Sequence, residues 1–187
     1  DWLKLVHLWK YLNGTTEDKL TISAGLEKAI EQVRLIVNAT FAVHPDMKGH
    51  TGMVMKFRGG TGAPLAASVK QKLNTSGSTT CELVAVDQVL PLVLWTPLFM
   101  KVQGIEVHSY VLHQDNKSAI LLEENGKYSS GKRTYALDIQ YFMVADQVEH
   151  GNLSSMYCPT DGMVGNFTSK GLTGATFSKL CNKIMDM

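Results

Sequence analysis

The chain is short of charge. Only 19% of its 187 residues are Asp, Glu, Lys or Arg, against about 25% in an average soluble domain. Eighteen basic and 17 acidic side chains leave a net charge of +1. That excludes a globally basic nucleic-acid binder and an acidic disordered tail. Cysteine is scarce and odd in number: Cys81, Cys158 and Cys181 lie far apart and form no C-x-x-C pair. A disulfide framework and a zinc site are therefore not expected, and a reducing, intracellular compartment is. No run of 18 apolar residues occurs, so no spanning helix is expected. The first residue is Asp1 rather than Met. The chain thus reads as a fragment or a processed product, and an organellar assembly reached after loss of a targeting segment stays open. Six N-x-S/T triplets, at Asn13, Asn38, Asn74, Asn116, Asn152 and Asn166, are read as chance in that setting.

What is present is apolar, at 44% of residues, which suffices for one ordinary core. Residues 1–12 carry Trp2, Leu5, Leu8, Trp9 and Leu12 at helical spacing. Trp2 and Trp9 share a face and are expected to pack. Val33–Val43, Thr51–Phe57 and Ala63–Val69 read as strands joined by short turns, an antiparallel meander. Ser78–Val102 is helical in pattern, with Pro91 expected to split or kink it. Further along, Tyr110–Gln114 and Leu153–Cys158 read as strands. Ser118–Glu124, Leu137–Glu149, Met163–Ser169 and Gly174–Met187 read as helices. The order β-β-β-α-β-α-α-β-α predicts a mixed α/β sheet.

Four features could carry chemistry or contacts. Asp115 ends a predicted strand, where open α/β sheets place their sites, and Glu82 lies in the first turns of the following-meander helix. Two such carboxylates could hold Mg2+, although Asp at a strand-to-helix junction is often just a helix cap. Residues 47–81 hold Lys48, Lys56, Arg58, Lys70 and Lys72 without one acid, and Lys127, Lys132 and Arg133 form a second basic loop. Either could face nucleic-acid phosphates or simply water. His44, His50, His108 and His113 show no i,i+4 ligand pair and read as capping or core residues. Finally, Val89–Met100 has no charge, and Thr96 is its single hydrophilic side chain. A helix apolar all round needs a second cover, so Leu92, Leu94, Trp95, Leu98 and Phe99 are expected to meet a protein partner.

Four ordered blocks carry a resemblance: HPDMKGHTG (44–52), KQKLNTSGSTTCELV (70–84), QDNKSAILLEENGKYSSGKRT (114–134) and YCPTDGMVGNFTSKGL (157–172). Together they resemble the RNase H domain of copia-type retrotransposon polyproteins. Residues 33–187 correspond to that domain, and residues 1–32 form a helical extension similar to the tail of the preceding reverse transcriptase. The resemblance implies an RNase H-like α/β fold: a five-stranded mixed sheet, an antiparallel meander plus parallel strands, flanked by helices. It further implies Mg2+-dependent cleavage of RNA in RNA–DNA hybrids, with four acids holding two ions. Two of these acids match Glu82 and Asp115. The other two positions hold Asn38 and Asn166. A neutral amide cannot bridge two cations as an anion does, so metal binding is expected to be weak or absent. The expectation is a domain that has lost cleavage and serves as a structural or interaction subunit. Two alternatives remain: a weakened one-metal ribonuclease using Glu82, Asp115 and Asp138, and a module that binds RNA or hybrid without cutting.

Overall fold

The computed structural model describes residues 1–23, 29–125 and 140–186. Five strands form one sheet, β1 (Ala29–Thr40), β2 (His50–Phe57), β3 (Leu65–Lys70), β4 (Glu106–Gln114) and β5 (Ser154–Tyr157), in the order β3-β2-β1-β4-β5. The β1–β2 and β2–β3 pairs are antiparallel, and β1–β4 and β4–β5 are parallel. The described helices are α1 (Trp2–Gly14), α2 (Ser78–Val102), α3 (Lys117–Asn125), α4 (Gln140–Glu149), α5 (Asn166–Ser169) and α6 (Gly174–Met185).

β1 is central and covered on both faces, which is why its middle, Leu35–Val37, is an apolar run rather than an alternation. Leu35 and Val37 face α2, together with Met53, Ala85 and Val89. Ile36 points the other way, into a smaller cluster with Val54, Met163, Val164 and Ile184. Leu35, Val33 and Val37 are fully buried.

Several boundaries differ from the sequence pattern. β1 begins at Ala29 instead of Val33 and stops at Thr40, because Ala42 turns into left-handed backbone (φ 51°). β4 begins at Glu106 rather than Tyr110. Its polar first half is drawn into the sheet by pairing with β1, Ala29 opposite Glu106. α2 does not break at Pro91: it runs unbroken through Pro91 and Pro97, leaving the carbonyls one turn earlier without their helical donors. The expected helix at Met163–Ser169 is shorter, a 3-10 turn (Thr160–Gly162) followed by α5. Residues 137–139 of the predicted Leu137–Glu149 helix lie outside the described residues.

α1 is helical as expected, but its tryptophans do not pack. Trp2 and Trp9 are 73% and 72% exposed, and α1 has no buried residue. It reaches the body of the protein through Tyr11, whose ring meets Phe177 of α6 edge-on at 5.7 Å. Beyond α1, Thr21 donates to Met185 O and Ser23 bridges to Thr61. That strap crosses the Gly59–Gly62 loop so closely that a Cβ on Gly60 would stand 2.1 Å from Ser23 O.

Candidate functional site

The carboxyl ends of β1 and β4 gather the predicted positions at one end of the sheet. Asn38 pairs with Gly52 across β1 and β2, and the short helix α5 lies directly over that pair. A Cβ on Gly52 would stand 2.6 Å from Ser169 N and 2.7 Å from Gly165 O. Gly165 in turn sits against Asn38, where an added Cβ would be 3.1 Å from Asn38 Cβ. Glycine at both positions is what lets α5 touch the sheet. Asn38 is 1% exposed and its Nδ2 donates to Ser169 Oγ. Thr40 Oγ1 adds a bond to Ser169 O at 2.9 Å. Asn166, in the first turn of α5, is buried, and its Oδ1 has no hydrogen-bond partner among the described residues.

Glu82 enters from the first turns of α2. Its Oε2 accepts from Ala39 N–H at 2.9 Å, which ties the carboxyl to the residue after Asn38. The start of α2 is held there by Gln71, whose Nε2 donates to Cys81 O at 2.8 Å and to Thr51 Oγ1 at 3.1 Å. Burial pushes the Glu82 carboxyl up to about 8; the Ala39 N–H pulls against this, and the nearby Asp115 charge adds to it. Asp115 follows β4 directly. It is not the cap of α3: that role falls to Asn116, whose Oδ1 accepts from Ser118 N at 3.0 Å and Ala119 N at 3.2 Å. The Asp115 carboxylate is thereby left to the site.

One buried acid escaped the sequence reading. Glu123 on α3 is 1% exposed, accepts from Ser155 Oγ at 2.7 Å, and is raised by burial to about 7. Its signal was available: positions 119, 120 and 123 share one helical face, and Ala119 and Ile120 are buried too.

No family model matches the sequence. Solved structures do match. An RNase H1 isolated from compost by a metagenomic approach superposes with a TM-score of 0.52 at 14% identity, covering 83% of this chain and 96% of that one. The N-terminal RNase H domain of rv2228c from Mycobacterium tuberculosis gives 0.54 at 8% identity, covering 81% and 97%. The foamy viral protease-reverse transcriptase in complex with RNA/DNA hybrid gives 0.50 at 12% identity, covering 83% of this chain and 21% of that one. The chain has the RNase H fold. Its meander, its parallel β4 and β5 and its flanking helices are the five-stranded mixed architecture that the sequence led us to expect.

Within this RNase H fold, the residues present do not suit a pair of Mg2+ ions. Two ions bring a charge of +4, whereas Asn38 and Asn166 are neutral amides that offer only a carbonyl oxygen each. Asn38 also commits its amide nitrogen to Ser169. The unpartnered Asn166 Oδ1 is a possible oxygen ligand, but it carries no charge. Among the described residues no group of three or more His, Cys, Asp or Glu could hold a metal ion. Asp138, considered as a substitute ligand, lies outside the described residues.

The basic stretch looks different in three dimensions. Acids from outside residues 47–81 pair with it: Asp46 meets Lys70 at 2.9 Å and Lys48 at 3.7 Å, and Glu31 meets Arg58 at 2.9 Å. Lys56 donates to Lys183 O at 2.7 Å. The register also divides the set. Lys48, Lys70 and Lys72 lie near the Asn38 end of the meander. Lys56 and Arg58 lie at the opposite end of β2, about 20 Å away at 3.3 Å per residue. Lys127, Lys132 and Arg133 lie outside the described residues.

The apolar stretch of α2 is inverted. Its hydrophilic Thr96 is 3% exposed and donates to Leu92 O at 2.7 Å. Thr96 falls on the inner face with Val89 and Val93. Trp95, Leu98 and Phe99 are 53%, 64% and 42% exposed, and the Trp95 and Phe99 rings stack at 4.7 Å. Leu92 and Leu94 are only half-buried, and they lean on the protein's own core. Contrary to expectation, α2 is long and apolar enough to cross a membrane by length and composition, with a mean hydropathy of 1.7 over its best 18-residue window. The reason is that 44% of that window is buried within this chain, so the helix is apolar partly because it is core.

Proposed function

We propose that the chain is an RNase H-fold domain of copia-type retrotransposon origin that has lost hybrid cleavage and serves as a structural or interaction subunit. The observation that carries this reading is the Asn38 side chain. Where the resemblance places a metal-bridging aspartate, an amide nitrogen donates inward to Ser169. The site is tied together by a neutral hydrogen bond instead of being held apart around cations. Residues 1–32 are, on this reading, a remnant of the preceding polymerase tail. The exposed Trp95, Leu98 and Phe99 face is the contact surface for a protein partner.

A second reading keeps nucleic acid as a ligand. It is favoured by the placement of Lys48, Lys70 and Lys72 near the Asn38 end of the sheet. An RNase H1 crystallised with an RNA/DNA hybrid has the same fold, with a TM-score of 0.50 at 13% identity over 82% of this chain and 96% of that one.

One experiment separates these readings. A labelled RNA–DNA hybrid is incubated with the wild-type chain and with the Asn38→Asp/Asn166→Asp double variant, in Mg2+ and in Mn2+, and binding is followed across salt concentrations. The expected result is no cleavage by the wild type. Robust wild-type cleavage would reject the proposal. Cleavage by the double variant alone would assign the site to these four positions. Wild-type binding that weakens steeply with salt would favour the second reading.

A further inference from the structure

His44 and His50 are six residues apart, a spacing that fits neither a helical nor a strand ligand pair. The turn between them closes the gap. Met47 takes left-handed backbone (φ 59°) and its N–H donates to His44 O at 2.8 Å, while His44 N–H donates to Lys48 O at 3.2 Å. Ala42 (φ 51°) is left-handed as well. Two non-glycine residues in this region are costly, and they persist only where the surroundings fix them. The reversal delivers His50 to the first position of β2, opposite Thr40. His44 Nε2 and His50 Nδ1 then stand 3.0 Å apart. The ring centroids are 5.2 Å apart and the planes are inclined at 47°. The other nitrogen of His50, Nε2, lies 2.8 Å from Ser68 Oγ on β3.

Two facing imidazole nitrogens can share a proton or a metal ion, since each can offer a lone pair. Two nitrogens bound at about 2.0–2.1 Å to one ion stand about 2.9–3.4 Å apart in octahedral or tetrahedral geometry. The observed 3.0 Å falls within that span, so an ion could replace the shared proton if the two rings turn without moving apart. The Ser68 contact supplies the usual second requirement, a partner on the remote ring nitrogen that fixes the tautomer. With Nε2–H donating to Ser68 Oγ, the lone pair of Nδ1 is directed at His44. Asp46 is paired with Lys70 and Lys48, and among the described residues no third His, Cys, Asp or Glu joins the two rings. The pair is therefore a nitrogen site without added carboxylate, which suits borderline ions and not Mg2+.

We propose that His44 and His50 form a two-histidine binding site for a divalent transition metal ion of the Zn2+, Ni2+ or Cu2+ class. It does not depend on the fate of the acidic site. Both rings are half-buried, so an ion held there keeps coordination positions open to water. It would clamp the 41–49 turn to β2 on the sheet face that also carries Asn38 and α5.

Isothermal titration of the untagged chain with NiCl2 and ZnCl2, and with MgCl2 for comparison, tests the proposal. The expected result is equimolar Ni2+ and Zn2+ binding and no Mg2+ heat. His44→Gln or His50→Gln should each weaken binding about tenfold or more, and Ser68→Ala about tenfold, the range seen when ligands or their supports are removed. His150→Gln, just past the end of α4, should leave it unchanged. Absence of an equimolar isotherm in the wild type would overturn the proposal, as would equal binding by both His variants. Circular dichroism establishes that each variant folds. Should one not fold, ring-proton NMR of the wild type decides: shifts on Ni2+ or Zn2+ addition at His44 and His50 support the site, and shifts confined to other histidines remove it.

Discussion

Replacing Glu82 by glutamine should change how stability depends on pH. The Glu82 carboxyl is 6% exposed and is raised from an ordinary 4.5 to about 8, chiefly by burial. Below pH 4.5 it is protonated in the folded and unfolded chain alike and has no effect. Between 4.5 and 8 the folded chain keeps a proton that the unfolded chain has released, so stability falls as pH rises. The slope is about 1.4 kcal/mol per pH unit, and the full loss above pH 8 is about 5 kcal/mol. That is a large part of the roughly 5–15 kcal/mol that holds an ordinary domain together. Glutamine keeps an oxygen for the Ala39 N–H and does not titrate. Glu82→Gln should therefore match the wild type near pH 4 and exceed it by several kcal/mol above pH 8. Urea unfolding followed by far-ultraviolet circular dichroism measures the difference. Parallel stability curves for the two proteins would refute the argument. Recovery of wild-type stability at high pH by Mg2+ would refute the separate conclusion that these residues do not suit the ion.

Two further substitutions test the packing around the site. Gly52→Ala would place a Cβ against backbone atoms of Ser169 and Gly165, so α5 must lift and stability should drop by about 1–3 kcal/mol in a thermal or urea melt; an unchanged melt would mean that α5 does not rest on β2. Asn116→Ala should cost about 1 kcal/mol through loss of the α3 cap, and Asp115→Ala should not remove that cap; the reverse order of stabilities would return the capping role to Asp115.

The meander and the span of α2, though not its passage through Pro91, were legible because each carries its own local signal, short apolar strands between turn residues in one and a long helical apolar pattern in the other. The first half of β4 was not. Glu-Val-His-Ser has no strand signal of its own and becomes a strand only because β1 offers it a ladder. α2 survives two prolines for a similar reason: its inner face, from Leu83 to Thr96, is gripped by the sheet, and that outweighs two missing hydrogen bonds. Site positions came from spacing and resemblance. Their chemistry did not: that Asn116 caps α3 in place of Asp115, or that Asp46 and Glu31 neutralise a stretch read as purely basic, depends on contacts between distant or turn-connected residues. The His44–His50 approach was hidden in the same way, since a reversal with two left-handed residues has no period to detect.

The parallel pairing of β1 with β4 sets the sequence of events by which this site can come into being. β2 and β3 can zip onto β1 through short reversals, but Arg34 meets Val111 only after the whole meander and α2 have been bypassed. Long-range closure of this kind is slow compared with hairpin formation. Asn38 and Glu82 belong to the half that can assemble early, Asp115 and Asn166 to the half that arrives late. A chain still emerging during synthesis thus presents the unpaired backbone edge of β1 to its surroundings until β4 arrives, and the end of the sheet that carries the acids is finished only when α5 settles onto Gly52.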